Sequence, residues 1–221
     1  MLRFYGWLAV MTQVIFMGLM LLSRAQPYDD HELRHLLLSE GCSSPCFMGI
    51  KAGVTTVENA VKNLEASGWV SDMQVTKEEG VTDGEVYIHV QWKWNAKASP
   101  MLDPAFTAHI YSYEQDIRSA VDEIRVATKI NNGRIQLLMH MPTLYSLIEG
   151  MTDAFGKKPM ILSLYYDGLE NGSYIECPVR LRDTWAHQAD LTFYSSPQLV
   201  FGATQKWNSR QLMGRLRANC G

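Results

Sequence analysis

Hydrophobic and polar positions alternate along this chain with two different periods. From Val86 to Trp94 every second side chain is apolar, which is the period of an antiparallel strand with one buried face. In the stretch TTVENAVKNLEASG the apolar positions follow the i, i+3, i+4, i+7 spacing of one helix face: Val57, Ala60, Val61 and Leu64. The chain therefore combines helices with antiparallel strands.

Capping residues give the predicted helices their ends. Thr55 and Glu58 have the spacing of a capping box and a glycine follows the last apolar position, which predicts a helix over residues 55–67. A shorter helix is predicted from Asp30 to Glu40, because acidic residues fill its first turn and a glycine follows it.

Further strands are predicted in the segments AFTAHIYSY and AVDEIRVATK. Between them and the second half of the chain, the NNG sequence at residues 131–133 is typical of a hairpin turn. The segment RIQLLMH that follows is therefore predicted to pair back as a strand.

The helical spacing recurs in PTLYSLIEGMTDAFG. Thr143 serves as the predicted cap of a helix over residues 143–155, whose buried face would consist of Leu144, Leu147, Ile148 and Met151. Strands are predicted after it in MILSLYYDG, SYIECPVRLRD, ADLTFYSS and QLVFGATQ, and a last short helix in NSRQLMGRLRANC.

These elements predict an α+β fold with two helix-plus-antiparallel-meander modules packed together behind an N-terminal hydrophobic helix. The first module would cover residues 48–140, and the second, with the C-terminal helix, residues 141–221. Residues 26–47 would form the short helix and a cysteine-containing loop. Residues 1–25 would be a signal peptide or a transmembrane anchor.

The apolar stretch at residues 4–22 is long enough to cross a bilayer as a helix. Arg3 precedes it and Asp29 lies among the acidic residues that follow, so the charge bias predicts a body outside the cytoplasm. A small-x-small sequence that ends at Ala25 leaves cleavage open. We expect a single-pass protein of the cell membrane, held there through residues 4–22, or a secreted protein if cleavage follows Ala25.

Four cysteines fit an exported chain. An even number of cysteines in an oxidising compartment predicts disulfides among Cys42, Cys46, Cys177 and Cys220. Three pairings are possible; the favoured one joins Cys42 to Cys46 and Cys177 to Cys220, and a competing one joins Cys46 to Cys220.

The composition restricts the partners. A net charge of -3 excludes nucleic acid as a main partner, since phosphate binding needs clustered Lys and Arg. No glycine-rich phosphate loop or nucleophile elbow is present in the sequence, so no cofactor is predicted and no catalytic residue is assigned. An unknown protein partner is expected.

The segment HELRH contains the H-E-x-x-H pattern of zinc proteases. On a helix, His31 and His35 would lie one turn apart and bind zinc, and Glu32 would activate a bound water. The charged Arg34 lies inside the pattern, no third ligand pattern follows, and the leucines around it fit an ordinary amphipathic helix. A metal site at His31 and His35 is therefore the alternative, and no metal is favoured.

Two other groups of side chains could carry function. His89 and His109 lie on neighbouring predicted strands and could approach each other, although such pairs are usually solvated. Aromatic residues are frequent in the strands, where they could line a binding surface. Trp92 and Trp94 share the apolar face of their strand, which favours a core position for most of these aromatics.

The stretch CSSPCFMGIKAGVTTVENAVKNLE, followed later by MPTLYSLIEGMTDAFGKKPMILSLYYDG, resembles a group of uncharacterised exported bacterial proteins. These carry a P-C-[aromatic]-x-G-I-x-x-G-x-T-T pattern, which Pro45 to Thr56 match here. The helix-plus-strand modules also look like the units of outer-membrane assembly lipoproteins of the SmpA/BamE type and of the β-lactamase-inhibitor fold. The first resemblance is to exported proteins and supplies no activity for this chain, and the second is a likeness of fold, which does not establish a function.

Together these features predict a non-catalytic, membrane-anchored, extracytoplasmic protein that acts by binding a protein or ligand. Two alternatives stay open: a zinc metallohydrolase that uses the HELRH segment at residues 31–35, and a secreted inhibitor-like module.

Overall fold

The computed structural model describes most of the chain from residue 31 onwards and part of the N-terminal segment. The described residues are 7, 11–19, 31–38, 42, 45–79, 86–139, 142, 144–149, 160–175, 181–195 and 214. The chain divides into two units, Met1–His31 and Glu32–Gly221. Each unit is described by itself.

The second unit has an α+β fold built on one antiparallel sheet. The helices are α1 His31–Leu37 (which starts at the boundary residue), α2 Val57–Ser67, α3 Asn132–Met139 and α4 Leu181–Ala186. The strands are β1 Val70–Glu79, β2 Val86–Trp94, β3 Ala108–Ser112, β4 Glu123–Asn131, β5 Leu144–Glu149, β6 Met160–Tyr166, β7 Leu169–Ile175 and β8 Gln188–Tyr194. They form one sheet in the order β1-β2-β3-β4-β8-β7-β6-β5.

One side of this sheet faces the hydrophobic core. The alternation predicted for β2 is confirmed, since Ile88, Val90, Trp92 and Trp94 are buried on that side. The same core contains Leu33, Leu36 and Leu37 of α1 and Val57, Ala60 and Leu64 of α2, and Val61 packs against it partly buried. The opposite side, called the outer side here, carries Tyr87, Gln91 and Lys93 of β2.

Helix α2 begins one residue later than the capping-box spacing predicts. The hydroxyl of Thr56, not of Thr55, accepts the backbone N–H of Asn59 at 3.3 Å. Thr55 instead accepts the backbone N–H of Lys51 at 3.0 Å, in the turn before the helix. The helix ends at Gly68 in the left-handed region, as predicted.

The stretch from Pro45 to Thr56 forms a tight turn against the core. Phe47 and Ile50 exchange both backbone hydrogen bonds, at 2.9 and 2.8 Å, and both side chains are fully buried. Met48 and Gly49 between them have φ values of 51° and 78°, as a type I′ turn requires. The residues that carry the resemblance therefore have a structural role in this chain.

Gly53 in this stretch combines a φ of 77° with a close neighbour. A Cβ added there would lie 2.9 Å from Cβ of Ser195, beside the end of β8. We expect Gly53→Ala to lower the free energy of unfolding by about 1–3 kcal/mol, since the alanine would adopt a left-handed conformation and crowd Ser195. Urea unfolding followed by circular dichroism measures this change.

Gly68→Ala is the matched control for that substitution. Gly68 has a φ of 68°, but nothing lies within 4 Å of the added Cβ, so this variant isolates the backbone cost. Equal losses of stability at the two positions would show that the contact with Ser195 contributes nothing.

The predicted hairpin at residues 131–133 is wrong. These residues end β4 and begin α3, and RIQLLMH is mostly helix instead of strand. The side chain of Asn131 accepts the backbone N–H of Arg134 at 2.9 Å, which is a helix N-cap contact. Asn is common at helix caps as well as in turns. Here the helix forms instead of the hairpin, because α3 buries Ile135 and Leu138 in the core.

The predicted helix over residues 143–155 is also wrong where the structure describes it. Leu144–Glu149 is strand β5, paired antiparallel along its whole length with β6. A segment of Leu, Tyr and Ile suits either structure, and the hydrogen bonds that β6 offers at the sheet edge decide for the strand. The segment VRLRD, predicted as the end of a strand, contributes the start of α4.

Several predictions fall outside the described residues. They concern the strand QLVFGATQ, the C-terminal helix apart from Gly214, and residues 4–6, 8–10 and 20–22 of the apolar stretch. Within the N-terminal unit, residues 11–19 are helical. Among the described residues, no helix is both long and apolar enough to cross a membrane.

Candidate functional site

The outer side of the sheet carries polar and aromatic side chains in two adjacent rows. Strand pairing places Thr76, His89, Tyr111, Glu123 and Tyr194 opposite one another in the first row. The second row runs through Gln74, Gln91, His109, Arg125, Thr192, Glu170 and Tyr165. Opposing residues on neighbouring strands lie close enough for their side chains to interact.

The contacts between strands β1 to β4 define the candidate site. We call this group of side chains the histidine–tyrosine face; its members are Glu78, Tyr87, His89, His109, Tyr111, Glu123 and Arg125. They come from four neighbouring strands; the apolar sides of β2, β3 and β4 are buried in the core, whereas β1 at the sheet edge has no fully buried residue.

A chain of hydrogen bonds joins a carboxylate to two imidazoles. Oε1 of Glu78 lies 2.7 Å from Nδ1 of His89, and Nε2 of His89 lies 2.9 Å from Nδ1 of His109. Tyr87 and Thr76 also donate to the Glu78 carboxylate, at 2.8 and 3.1 Å. These bonds fix Glu78 and His89 in one arrangement.

Ring stacking and a cation–π contact fix the position of the Tyr111 side chain. The ring of Tyr111 lies parallel to that of His89, with an interplanar angle of 2° and centroids 4.8 Å apart. The guanidinium of Arg125 lies 5.0 Å from the centre of the Tyr111 ring, within cation–π distance. Arg125 also donates to Glu123, which accepts from the hydroxyl of Tyr113 at 3.1 Å.

This arrangement shifts several pKa values. The hydrogen bond with His89, followed by that with Tyr87, lowers the pKa of Glu78. Burial, and then electrostatic interactions with His89 and Arg125, lower the pKa of His109. Partial burial and the Glu123 carboxylate raise the pKa of Tyr113 to about 12. Near neutral pH the face therefore contains ionised Glu78, neutral His109 and protonated tyrosines.

On the outer side of the sheet, side chains over β1 to β4 are more exposed than those over β6 to β8. Tyr165 and Tyr194, towards β6 and β8, are buried, and burial raises the pKa of Glu170 beside them. Over β1 to β4 the side chains of Arg125 and Glu78 are 56% and 42% exposed. The histidine–tyrosine face is therefore the more accessible half.

The sequence-predicted zinc residues lie elsewhere, on α1. His31, Glu32 and His35 are exposed there, while Leu33, Leu36 and Leu37 are buried. Glu32 accepts a hydrogen bond from the hydroxyl of Ser99. Within the part of the chain that the structure describes, no group of three or more His, Cys, Asp or Glu side chains is placed to hold a metal ion.

The structure describes two of the four cysteines. Cys42 and Cys46 lie at disulfide distance from each other, which agrees with the first bond of the favoured pairing. Cys177 and Cys220 lie outside the described residues.

The aromatic residues divide as the strand pattern indicates. Trp92 and Trp94 are buried in the core, as predicted, and so are Tyr166 and Phe193. Tyr165 and Tyr194 are also buried, but on the outer side of the sheet. Tyr113 and Trp185 are 49% and 47% exposed.

The anticipated approach of His89 to His109 is confirmed, but their partners Glu78, Tyr87 and Arg125 were not anticipated. Alternation placed some of these on the polar side, but the pairing register that joins them cannot be read from the sequence.

Known proteins offer no guide to this arrangement: no family model, curated protein or solved structure matches the chain.

Proposed function

We propose that this chain is a non-catalytic, membrane-anchored binding protein, whose body lies outside the cytoplasm and whose histidine–tyrosine face binds an exported protein partner. The observation that carries the proposal is the ordered array on the accessible half of the sheet. Tyr and Arg are enriched at the energetic centres of protein interfaces. Because neighbours already fix these side chains, little conformational entropy is lost when a partner binds.

The N-terminal helix supports the anchor. Val14, Ile15, Phe16 and Met17 are consecutive apolar residues of that helix, and each is at least 59% exposed. Consecutive helical residues point about 100° apart, so apolar surface lies on all sides of the helix. A helix that is apolar all round is suited to lipid. Cleavage after Ala25 would instead give a secreted protein.

The cysteine pair and the strand order support the rest of the proposal. The Cys42–Cys46 disulfide suits an oxidising compartment, and the likeness of Pro45–Thr56 to exported bacterial proteins agrees with export. The proposal includes two modules, one built on β1 to β4 and the other on β5 to β8, because each set of strands forms an uninterrupted run within the sheet.

The proposal predicts that one half-buried aromatic residue at the centre of the face, Tyr111, controls partner capture. We expect Tyr111→Ala to reduce recovery of a partner from envelope extract about tenfold or more, because this ring lies between His89 and Arg125 at the centre of the face. The measurement is a pull-down with the full chain in detergent, quantified by mass spectrometry.

Lys62→Ala is the control. Lys62 is an exposed residue of α2. This helix packs on the core side of the sheet, opposite the histidine–tyrosine face. Both variants are first checked by circular dichroism for wild-type folding. Equal recovery with all three proteins would contradict the proposed face. Recovery of only a second copy of the chain would replace the partner by self-association. Turnover of a peptide or ester panel, lost on a single substitution, would contradict the non-catalytic role.

A further inference from the structure

The hydrogen bonds of the two imidazoles determine where their protons lie. A carboxylate only accepts, so Nδ1 of His89 carries the hydrogen that points at Glu78. In the neutral ring, Nε2 of His89 is then an acceptor, and Nδ1 of His109 must donate to it across 2.9 Å. Nε2 of His109 is left with a lone pair and no hydrogen.

We propose that Glu78, His89 and His109 form a proton-sensitive contact point: at neutral pH Nε2 of His109 accepts a hydrogen bond from an N–H group of the partner, and acidification turns this nitrogen into a donor and releases the partner. This inference rests on the proposed function and adds the regulation of the same face.

The groups around His109 determine whether protonation of this imidazole is favoured or opposed. Glu78 faces the pair from β1, Tyr87 from β2, Tyr111 from β3, and Glu123 and Arg125 from β4. Burial opposes a positive His109 most strongly, electrostatic interactions with His89 and then Arg125 oppose it as well, and Glu78 favours it. The added proton takes the free lone pair of His109, so both existing hydrogen bonds survive and the charge of the face changes by one. Since burial further disfavours the cation, the change occurs on the acid side of neutrality.

The proton positions can be tested without any partner. Long-range proton–nitrogen spectra of the full chain, labelled with ¹⁵N and held in detergent micelles, distinguish protonated from unprotonated imidazole nitrogens. At pH 7.5 we expect hydrogen on Nδ1 of both His89 and His109. A hydrogen on Nε2 of His109 at this pH would overturn the proposal.

Two variants shift the titration in opposite directions. Glu78→Gln removes the favourable negative charge, so we expect the protonation midpoint of the pair to move to lower pH. Arg125→Gln removes the opposing positive charge, so we expect the midpoint to move to higher pH. Both positions are substantially exposed, so folding should be retained. Shifts of the same sign, or no shift in either variant, would contradict the arrangement.

The release step is tested by partner capture at pH 7.5 and pH 5. For wild type we expect recovery to fall about tenfold at pH 5, the loss of roughly one hydrogen bond with added charge repulsion. His109→Gln, which cannot titrate, should abolish this pH dependence. His35→Gln, on α1 outside the face, should retain it. Failure to capture any partner overturns the proposed function and with it the release step, whereas the tautomers are decided by the spectra alone.

Discussion

Leu64→Asp should lower the free energy of unfolding by at least about 4 kcal/mol. Leu64 is fully buried on α2 and belongs to the main hydrophobic core. The substitution removes a packed side chain and places a carboxylate where no water reaches it, and these two costs add. Urea unfolding of the full chain, followed by circular dichroism, should show the midpoint moving far towards zero denaturant.

Asn63→Asp is the matched control for this substitution. Asn63 is the preceding residue of the same helix and is exposed, so the same charge is added without burial. Its effect should stay within about 0.5 kcal/mol. A harmless Leu64→Asp would mean that this side of α2 does not pack on the sheet.

Trp92→Ala should cost about 3–5 kcal/mol. Trp92 is fully buried on β2, and its ring packs edge-on against Trp94 with centroids 5.5 Å apart. Removing the indole leaves a cavity on the core side of strands β1 to β4. The backbone hydrogen bonds between these strands hold them apart, so they cannot collapse into the cavity. The same unfolding measurement applies.

Trp185→Ala deletes the same side chain from α4, where Trp185 is 47% exposed. We expect a smaller loss of stability there, because the indole contacts Gly133 of α3 on one side only and the rest of it is already in water. Similar losses at Trp92 and Trp185 would show that burial does not control the effect.

Residue spacing predicted most of the first half of the sheet. The alternation in β2 and the helical spacing of α2 each have a strong period, and burial follows both patterns. The errors came from segments whose local pattern suits two structures. Asn131 could begin a hairpin or cap a helix, and Leu144–Glu149 could form a helix face or an edge strand. Contacts distant in sequence decide such cases, and those contacts cannot be read from a local window.

The candidate site was predicted only in outline. Sequence spacing brought His89 near His109, because both lie on the polar sides of neighbouring strands. Glu78 was missed because no strand was predicted over Val70–Glu79, and the register of β1 against β2 also shifts between Ser71 and Gln74. A shift of one residue moves every side chain of a strand to the other side of the sheet, so the carboxylate partner becomes known only from the structure.

That irregularity in β1 has a consequence for solubility. The strand is ten residues long and lies at one edge of the sheet, where its outward backbone groups could recruit a strand of another molecule. The bulge, with Asp72 at a φ of 50°, breaks the straight run of donors and acceptors that such recruitment needs. Neighbouring copies of the chain at high concentration are therefore hindered from polymerising through this edge into cross-β aggregates.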